Sequence, residues 1–157
     1  MTQNKQPSKN GDEYWMAHAL CLAKKAQKYN EVPVGAVIVK DNKIIGEGWN
    51  QPIASKDPTA HAEIQAIRMA CLDQSNYRLP GTTLYISLEP CLMCAGAIIH
   101  ARISRVLFAA TEPKTGAAGS FFDIFNENKL NHTVDCEQGL LAEESSKILK
   151  QFFKARR

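Results

Sequence analysis

No run of uncharged apolar residues in this sequence is long enough to cross a bilayer; the longest, around AGAIIHA, is far too short. The opening MTQNKQPSKNG is polar and has no apolar core of the kind a secretory leader needs, so an intracellular, cytoplasmic protein is expected. No internal repeat and no interdomain linker interrupts the chain. KTG occurs, but the G-x-x-x-x-G-K spacing of a nucleotide-binding P-loop does not. Charge is nearly balanced: a net +3 tolerates a polyanionic partner without announcing one. The five cysteines are an odd number, and two form a C-x-x-C pair. In a reducing compartment that points to metal or redox chemistry rather than a disulfide framework.

What is present is an ordinary core-forming composition, 45% apolar and 22% charged, over a length that suits one domain. Residues 1–11 read as a disordered tail and 12–157 as a single domain. Trp15, Ala19, Leu22, Ala26 and Tyr29 recur at helical spacing, with Asp12 as a plausible N-cap. VPVGAVIVK and IIGEGWN, separated by DNK, read as a β-hairpin. PIASKDP reads as a loop. Ile64, Ile67 and Cys71 mark a second helix, capped by Asp57 or Thr59 with Pro58 in its first turn. TTLYISL and RVLFAA are strands flanking a third helix, CLMCAGAIIHA. FFDIF starts a short helix, HTVDC is a candidate fifth strand, and a last helix runs from about Leu140 to Phe153. Strands alternating with helices predict a three-layer α/β/α domain, and the hairpin makes its five-stranded sheet mixed.

Two short stretches carry the chemistry. Cys91 and Cys94 open the third helix directly after Pro90. Residues three apart share a helix face. Unpaired N–H groups and the helix dipole at that end favour thiolate, so two thiolates can grip one Zn²⁺. His61 stands at the start of the second helix. If the two helix tips face each other, the site is one His and two Cys, with a coordination position left for water or substrate. That is the pattern of a catalytic zinc, not a structural one. Glu63 follows two residues later. The helical rotation between them is about 200°, so His61 and Glu63 can serve one ligand only if it sits end-on beyond the helix tip. A glutamate there can move protons for a zinc-activated water. A closed structural zinc needs a fourth ligand, for which Cys136, His100 and His132 are the candidates. Cys21 and Cys71 lie on apolar helix faces and are expected in the core.

The H-x-E and P-C-x-x-C pair is the signature of zinc-dependent nucleobase deaminases. With EVPVGAVIV, GEGWNQPI, DPTAHAEI, LEPCLMCAGAIIHARI and KTGAAGS in this order, the sequence resembles the cytidine-deaminase-like superfamily. Within that superfamily it is similar to the bacterial tRNA adenosine deaminase family. The resemblance implies a cytidine-deaminase-like fold and one Zn²⁺ per chain on His61, Cys91 and Cys94. The implied reaction is hydrolysis of the wobble adenosine in an arginine tRNA anticodon to inosine, with Glu63 as proton shuttle. It further implies that Asn50 hydrogen-bonds the base, that the Ala62 N–H makes another pocket contact, and that Val32 and Leu88 line the pocket. Lys114 belongs to the matching substrate loop. The family is homodimeric, with RNA contacting both subunits. Glu112 stands where members often carry aspartate.

The C-terminal KILKQFFKARR sets Lys154, Arg156 and Arg157 beside Phe152 and Phe153. Cations track phosphates and exposed aromatics stack on bases, so these are candidate contacts to a tRNA anticodon stem-loop. Cations also suit any helix C-terminus, and the phenylalanines suit a core. Two other readings compete. One is a deaminase of free cytosine, guanine or nucleosides, which would not need the basic tail. The other is a non-catalytic RNA-binding module with structural zinc, which would have no use for Glu63.

Overall fold

Residues 10–156 are described in a computed structural model of the chain. The expected tail therefore falls largely outside the described residues, as does Arg157. Helix α1 (Asp12–Lys28) begins one residue earlier than a cap at Asp12 requires: Gly11 is the N-cap and Asp12 the first helical residue. The hairpin forms as β1 (Gly35–Lys40) and β2 (Lys43–Trp49), closed by Asp41 and Asn42 at positive φ. A four-residue helix, α2 (Pro52–Ser55), stands where a loop was expected. Then follow α3 (Ala62–Gln74), β3 (Thr83–Leu88), α4 (Leu92–His100), β4 (Arg105–Ala110), a 3₁₀ turn (Ile124–Asn126), β5 (Asp135–Gln138) and α5 (Ala142–Lys154).

The strand order is β2-β1-β3-β4-β5. β1 is antiparallel to β2 and β3, while β3, β4 and β5 run parallel. The sheet is therefore mixed and five-stranded, as expected. Alternation along each strand decides the two faces. Val37, Val39, Tyr85, Leu107 and Ala109 pack with Trp15, Met16 and Ala19 of α1. Ala36, Ile38, Leu84, Ile86, Val106 and Phe108 pack with α3 and α4 through Ala66, Ala70, Ala95 and Ile98. α5 joins α1 on the first face; its Ser145 hydroxyl donates to the Ser87 carbonyl on β3.

Three helix expectations need correction. The buried side of α3 is Ala62, Glu63, Ala66 and Ala70, and Ile64, Ile67 and Cys71 are only half-buried flanks. Small residues face inward because β2 offers glycine there: a Cβ on Gly48 would lie 2.5 Å from the Ala62 carbonyl oxygen. α3 thus rests almost directly on the strand backbone. Cys21 is exposed, because the buried stripe of α1 runs through Leu20, Leu22 and Ala23 and turns position 21 outward. Tyr29 lies past the end of α1 and is exposed as well.

The register explains where a site can form. Gly35 pairs with Trp49, Ala36 with Ile86 and Leu88 with Ala110. The start of β1 and the ends of β2, β3 and β4 therefore share one rim of the sheet. Helices α3 and α4 present their N-termini near the same rim, as the contact between His61 and Cys91 requires. In open α/β sheets ligands bind at the carboxyl ends of the parallel strands, and this rim is that place.

Candidate metal centre and substrate cleft

His61 is the N-cap of α3, with φ −72° and ψ 157°, so it lies just outside the helix rather than in its first turn. The rotation argument for His61 and Glu63 therefore does not apply. From this cap position the His61 ring meets the two cysteines of α4, while Glu63 in the first turn is buried. The expected caps serve another purpose. Asp57 Oδ1 accepts the Thr59 N–H at 2.8 Å and the Thr59 hydroxyl at 2.7 Å, closing a turn that precedes His61. Pro58 lies in that turn, outside the helix.

Cys91 is the N-cap of α4 and Cys94 lies in its first turn. His61 Nδ1 lies 3.6 Å from Cys91 Sγ and 3.5 Å from Cys94 Sγ. A tetrahedral zinc with Zn–S of about 2.3 Å and Zn–N of about 2.0–2.1 Å has N···S edges of about 3.6 Å. The three donors fit that ion. Among the described residues this is the one cluster of three potential ligands, and Cys136, His100 and His132 do not join it. His132 instead bonds the Ile103 carbonyl at 2.7 Å. Three protein donors are the set of a catalytic zinc.

The protonation of the donors agrees. The Cys94 hydrogen bond, assisted by His61, lowers the Cys91 thiol to about 4 against the opposing effect of burial. Cys94 is raised, first by that same bond and then by burial. His61 is raised, chiefly by its bond to Cys91. A divalent cation held by these three donors would displace their protons, because thiolate and neutral imidazole are the forms that ligate.

Glu63 is 4% exposed, and burial raises its carboxyl above the ordinary range despite a hydrogen bond from Cys94. A cleft of about 130 Å³ opens over these groups, lined by Val32, Asn50, His61, Glu63, Leu88, Cys91, Glu112 and Thr115 among others. Val32, Asn50 and Leu88 are among the residues of this wall. The Ala62 N–H donates to Asn50 Oδ1 at 2.9 Å. It therefore holds Asn50 rather than facing the cleft, and it leaves the Asn50 Nδ2 hydrogens for a ligand.

Lys114 is not in the cleft. It lines an adjoining groove of about 810 Å³ with Glu112, Leu149, Lys150, Phe153, Lys154 and Arg156. Phe152 is buried at 3% exposure and stacks under the Arg156 guanidinium, while Phe153 is 49% exposed. The pair is thus divided between core and surface. Arg156 also donates to Asn30 Oδ1 at 3.1 Å.

Two buried carboxylates escaped sequence reasoning. Glu31, 2% exposed, accepts the Ile53 and Ala54 N–H groups of α2 at 3.2 and 2.9 Å. Glu89, 3% exposed, ends β3 and accepts three backbone N–H groups and one hydroxyl from residues 112–120. Burial alone would raise Glu89, but the Ser120 hydroxyl and those backbone donors hold it below the usual carboxylate range. The signal in the sequence was a charged residue closing an apolar strand, beside the metal motif.

Residues 9–110 match the family described as the cytidine and deoxycytidylate deaminase zinc-binding region. The tRNA-specific adenosine deaminase of Haemophilus influenzae is 55% identical over 93% of this chain and 85% of its own length. A solved structure from studies of A-to-I editing by tRNA deaminases at the wobble position is 45% identical. It superposes with a TM-score of 0.84 over 87% of this chain and 99% of its own. Guanine deaminase from Bacillus subtilis is 39% identical with a TM-score of 0.64, covering 94% of both chains.

Proposed function

Because the chain belongs to the zinc-binding cytidine and deoxycytidylate deaminase family, we propose that it converts the wobble adenosine of an arginine tRNA anticodon to inosine. It is a zinc-dependent hydrolytic enzyme. The fold and high similarity to tRNA-specific adenosine deaminases support this reading along nearly the whole chain. The observation that carries the choice of RNA over a free base is Glu112. It lines both the metal cleft and the basic groove, so a base in the one continues into a backbone along the other.

His61, Cys91 and Cys94 hold the ion. When bound, Zn²⁺ supplies a Lewis acid that makes water nucleophilic at neutral pH. In the net reaction a C–O bond forms at the amino-bearing ring carbon, the C–N bond breaks, and ammonia leaves without any redox change. Glu63 takes a proton on a carboxylate oxygen, passes it to a ring nitrogen, and helps the amine depart. Its raised affinity for protons suits a group that must hold one briefly at neutral pH. Asn50, oriented by the Ala62 N–H, donates to a ring nitrogen of the base. Val32 and Leu88 cover its faces and keep water out. An anticodon loop presents its base already splayed, so little unstacking energy is needed.

Lys114, Lys154 and Arg156 follow the phosphates, with Phe153 as a stacking surface. Arg157 belongs to the same proposal from its sequence position. The protein acts as a homodimer. Leu92 and Met93 sit between the two metal cysteines and are exposed on the single chain, and a second copy would cover them. A cytoplasmic location follows from the substrate; among the described residues no helix is long and apolar enough to cross a membrane.

The test is direct. The zinc-loaded protein is offered an anticodon stem-loop, free adenosine, free cytosine and free guanine, and inosine or ammonia is measured. The stem-loop is expected to react fastest. Faster release of ammonia from a free base would turn the reading toward a nucleobase deaminase.

A further inference from the structure

We propose that Glu89 is a positioning residue: its carboxylate sets the 112–120 loop as the common wall of the metal cleft and the RNA groove. The proposal rests on the RNA reading above for its substrate. Glu89 Oε1 accepts the Glu112 N–H at 3.0 Å and the Ser120 hydroxyl. Its Oε2 accepts the Ala118 N–H at 3.0 Å and the Ser120 N–H at 3.1 Å. Both oxygens are engaged, and all four donors belong to the loop. No Lys, Arg or His ion pair reaches this carboxylate among the described residues. A buried charge left without a cation is costly unless hydrogen bonds satisfy it, so the loop conformation and the charge depend on each other.

The loop is built around that charge. Gly116 lies so close that a Cβ there would sit 2.4 Å from the Glu89 carboxylate. Beside it the loop pairs with the metal segment. Cys91 bridges Gly116, and the Ala117 N–H donates to the Pro90 carbonyl at 2.8 Å. One three-residue stretch, Glu89 to Cys91, therefore holds the loop and supplies a metal thiolate. The loop in turn sends Glu112 and Thr115 into the cleft and Glu112 and Lys114 into the groove. Glu89 acts through these residues, since its own oxygens are taken up. Glutamine cannot replace it, because its amide nitrogen would meet N–H donors with more N–H.

The experiment compares wild type with Glu89→Gln, Gly116→Ala and the double variant. Each is first assayed for zinc, then for deamination of the anticodon stem-loop. Both single variants are expected to keep one zinc and to raise KM about tenfold or more, with kcat falling by less than about threefold. The double variant is expected to be no worse than the weaker single, since both act on one contact. Hydrogen exchange at the Glu112, Ala118 and Ser120 amides, measured without substrate, is expected to speed up about tenfold or more in Glu89→Gln. Unchanged KM with unchanged exchange overturns the proposal. So does a fall confined to kcat, or loss of zinc. If Glu89→Gln does not fold, Ser120→Ala removes one donor and must raise KM in the same direction, by roughly twofold to tenfold. Should wild type deaminate a free base and not the stem-loop, the RNA reading fails. The KM split is then read on that base, because Thr115 and Glu112 line its cleft too.

Discussion

At Glu63 the dominant influence is the absence of water. A carboxylate at the surface loses its proton near pH 4, whereas burial holds the Glu63 proton more tightly. Glu63→Gln keeps the shape but can no longer take up and release a proton near neutral pH. Zinc content should stay at one per chain while turnover falls roughly 10²–10⁴-fold, read by single-turnover inosine formation. Cys91→Ala or Cys94→Ala should act differently, abolishing both zinc by elemental analysis and activity. A variant that kept full zinc would remove that cysteine from the ligand set.

Among the elements, α3 is held by what its neighbour lacks. Gly48→Ala adds one methyl group where there is backbone, 2.5 Å from the Ala62 carbonyl. It should lower stability by about 1–3 kcal/mol in urea unfolding and also reduce turnover, because His61 and Glu63 ride on the displaced end. At the other face, Asp12 accepts two bonds from Arg105, at 2.9 and 2.8 Å, and one from the Tyr85 hydroxyl at 2.7 Å. The Arg105 bond is the chief reason the Asp12 carboxyl is held below its ordinary range. A lowered folded-state pKa contributes stability above the unfolded value, and that contribution is lost as pH falls through the folded one. Asp12→Asn should therefore destabilise at pH 7, and the difference from wild type should shrink as pH falls below the ordinary carboxylate value of about 4, in paired thermal melts.

The same elements show what was legible. The hairpin, β3 and β4 could be read because alternation on a two-faced sheet is a local property of the chain. RVLFAA matches β4 residue for residue. The metal trio was legible because each ligand stands at a helix start that its own neighbours announce. The start of α3 was less legible, since Asp57 looks like a cap and its Oδ1 closes a turn instead. α2 was invisible: four residues carry no period, and its N–H groups are held by Glu31, more than twenty residues away. The part played by Glu89 was hidden for a related reason. Its partners are mostly backbone N–H groups, which every residue but proline owns and no letter of the sequence marks.

On the scale of the molecule, the groove and the cleft make binding and chemistry separable. Replacing Lys114, Lys150 and Lys154 together by alanine should weaken affinity for the stem-loop. The slope of log affinity against log salt should become shallower by about 2, while the rate at saturating RNA is spared. An unchanged slope would move the phosphate track elsewhere. The confinement of every cleft residue to one rim of the sheet has a consequence for what can be attached to this protein. The far rim carries the hairpin turn at Asp41 and Asn42, where β1 ends at Lys40 opposite Lys43, the start of β2. Nothing in the cleft or the groove is drawn from there. A flexible Gly-Ser insert of about ten residues at that turn should cost little, because loop closure entropy grows only slowly with length. Zinc content and stem-loop turnover should match wild type within about twofold. The turn would then be a handle for fluorophores, affinity tags or a fused domain, on the side of the enzyme that faces away from its RNA.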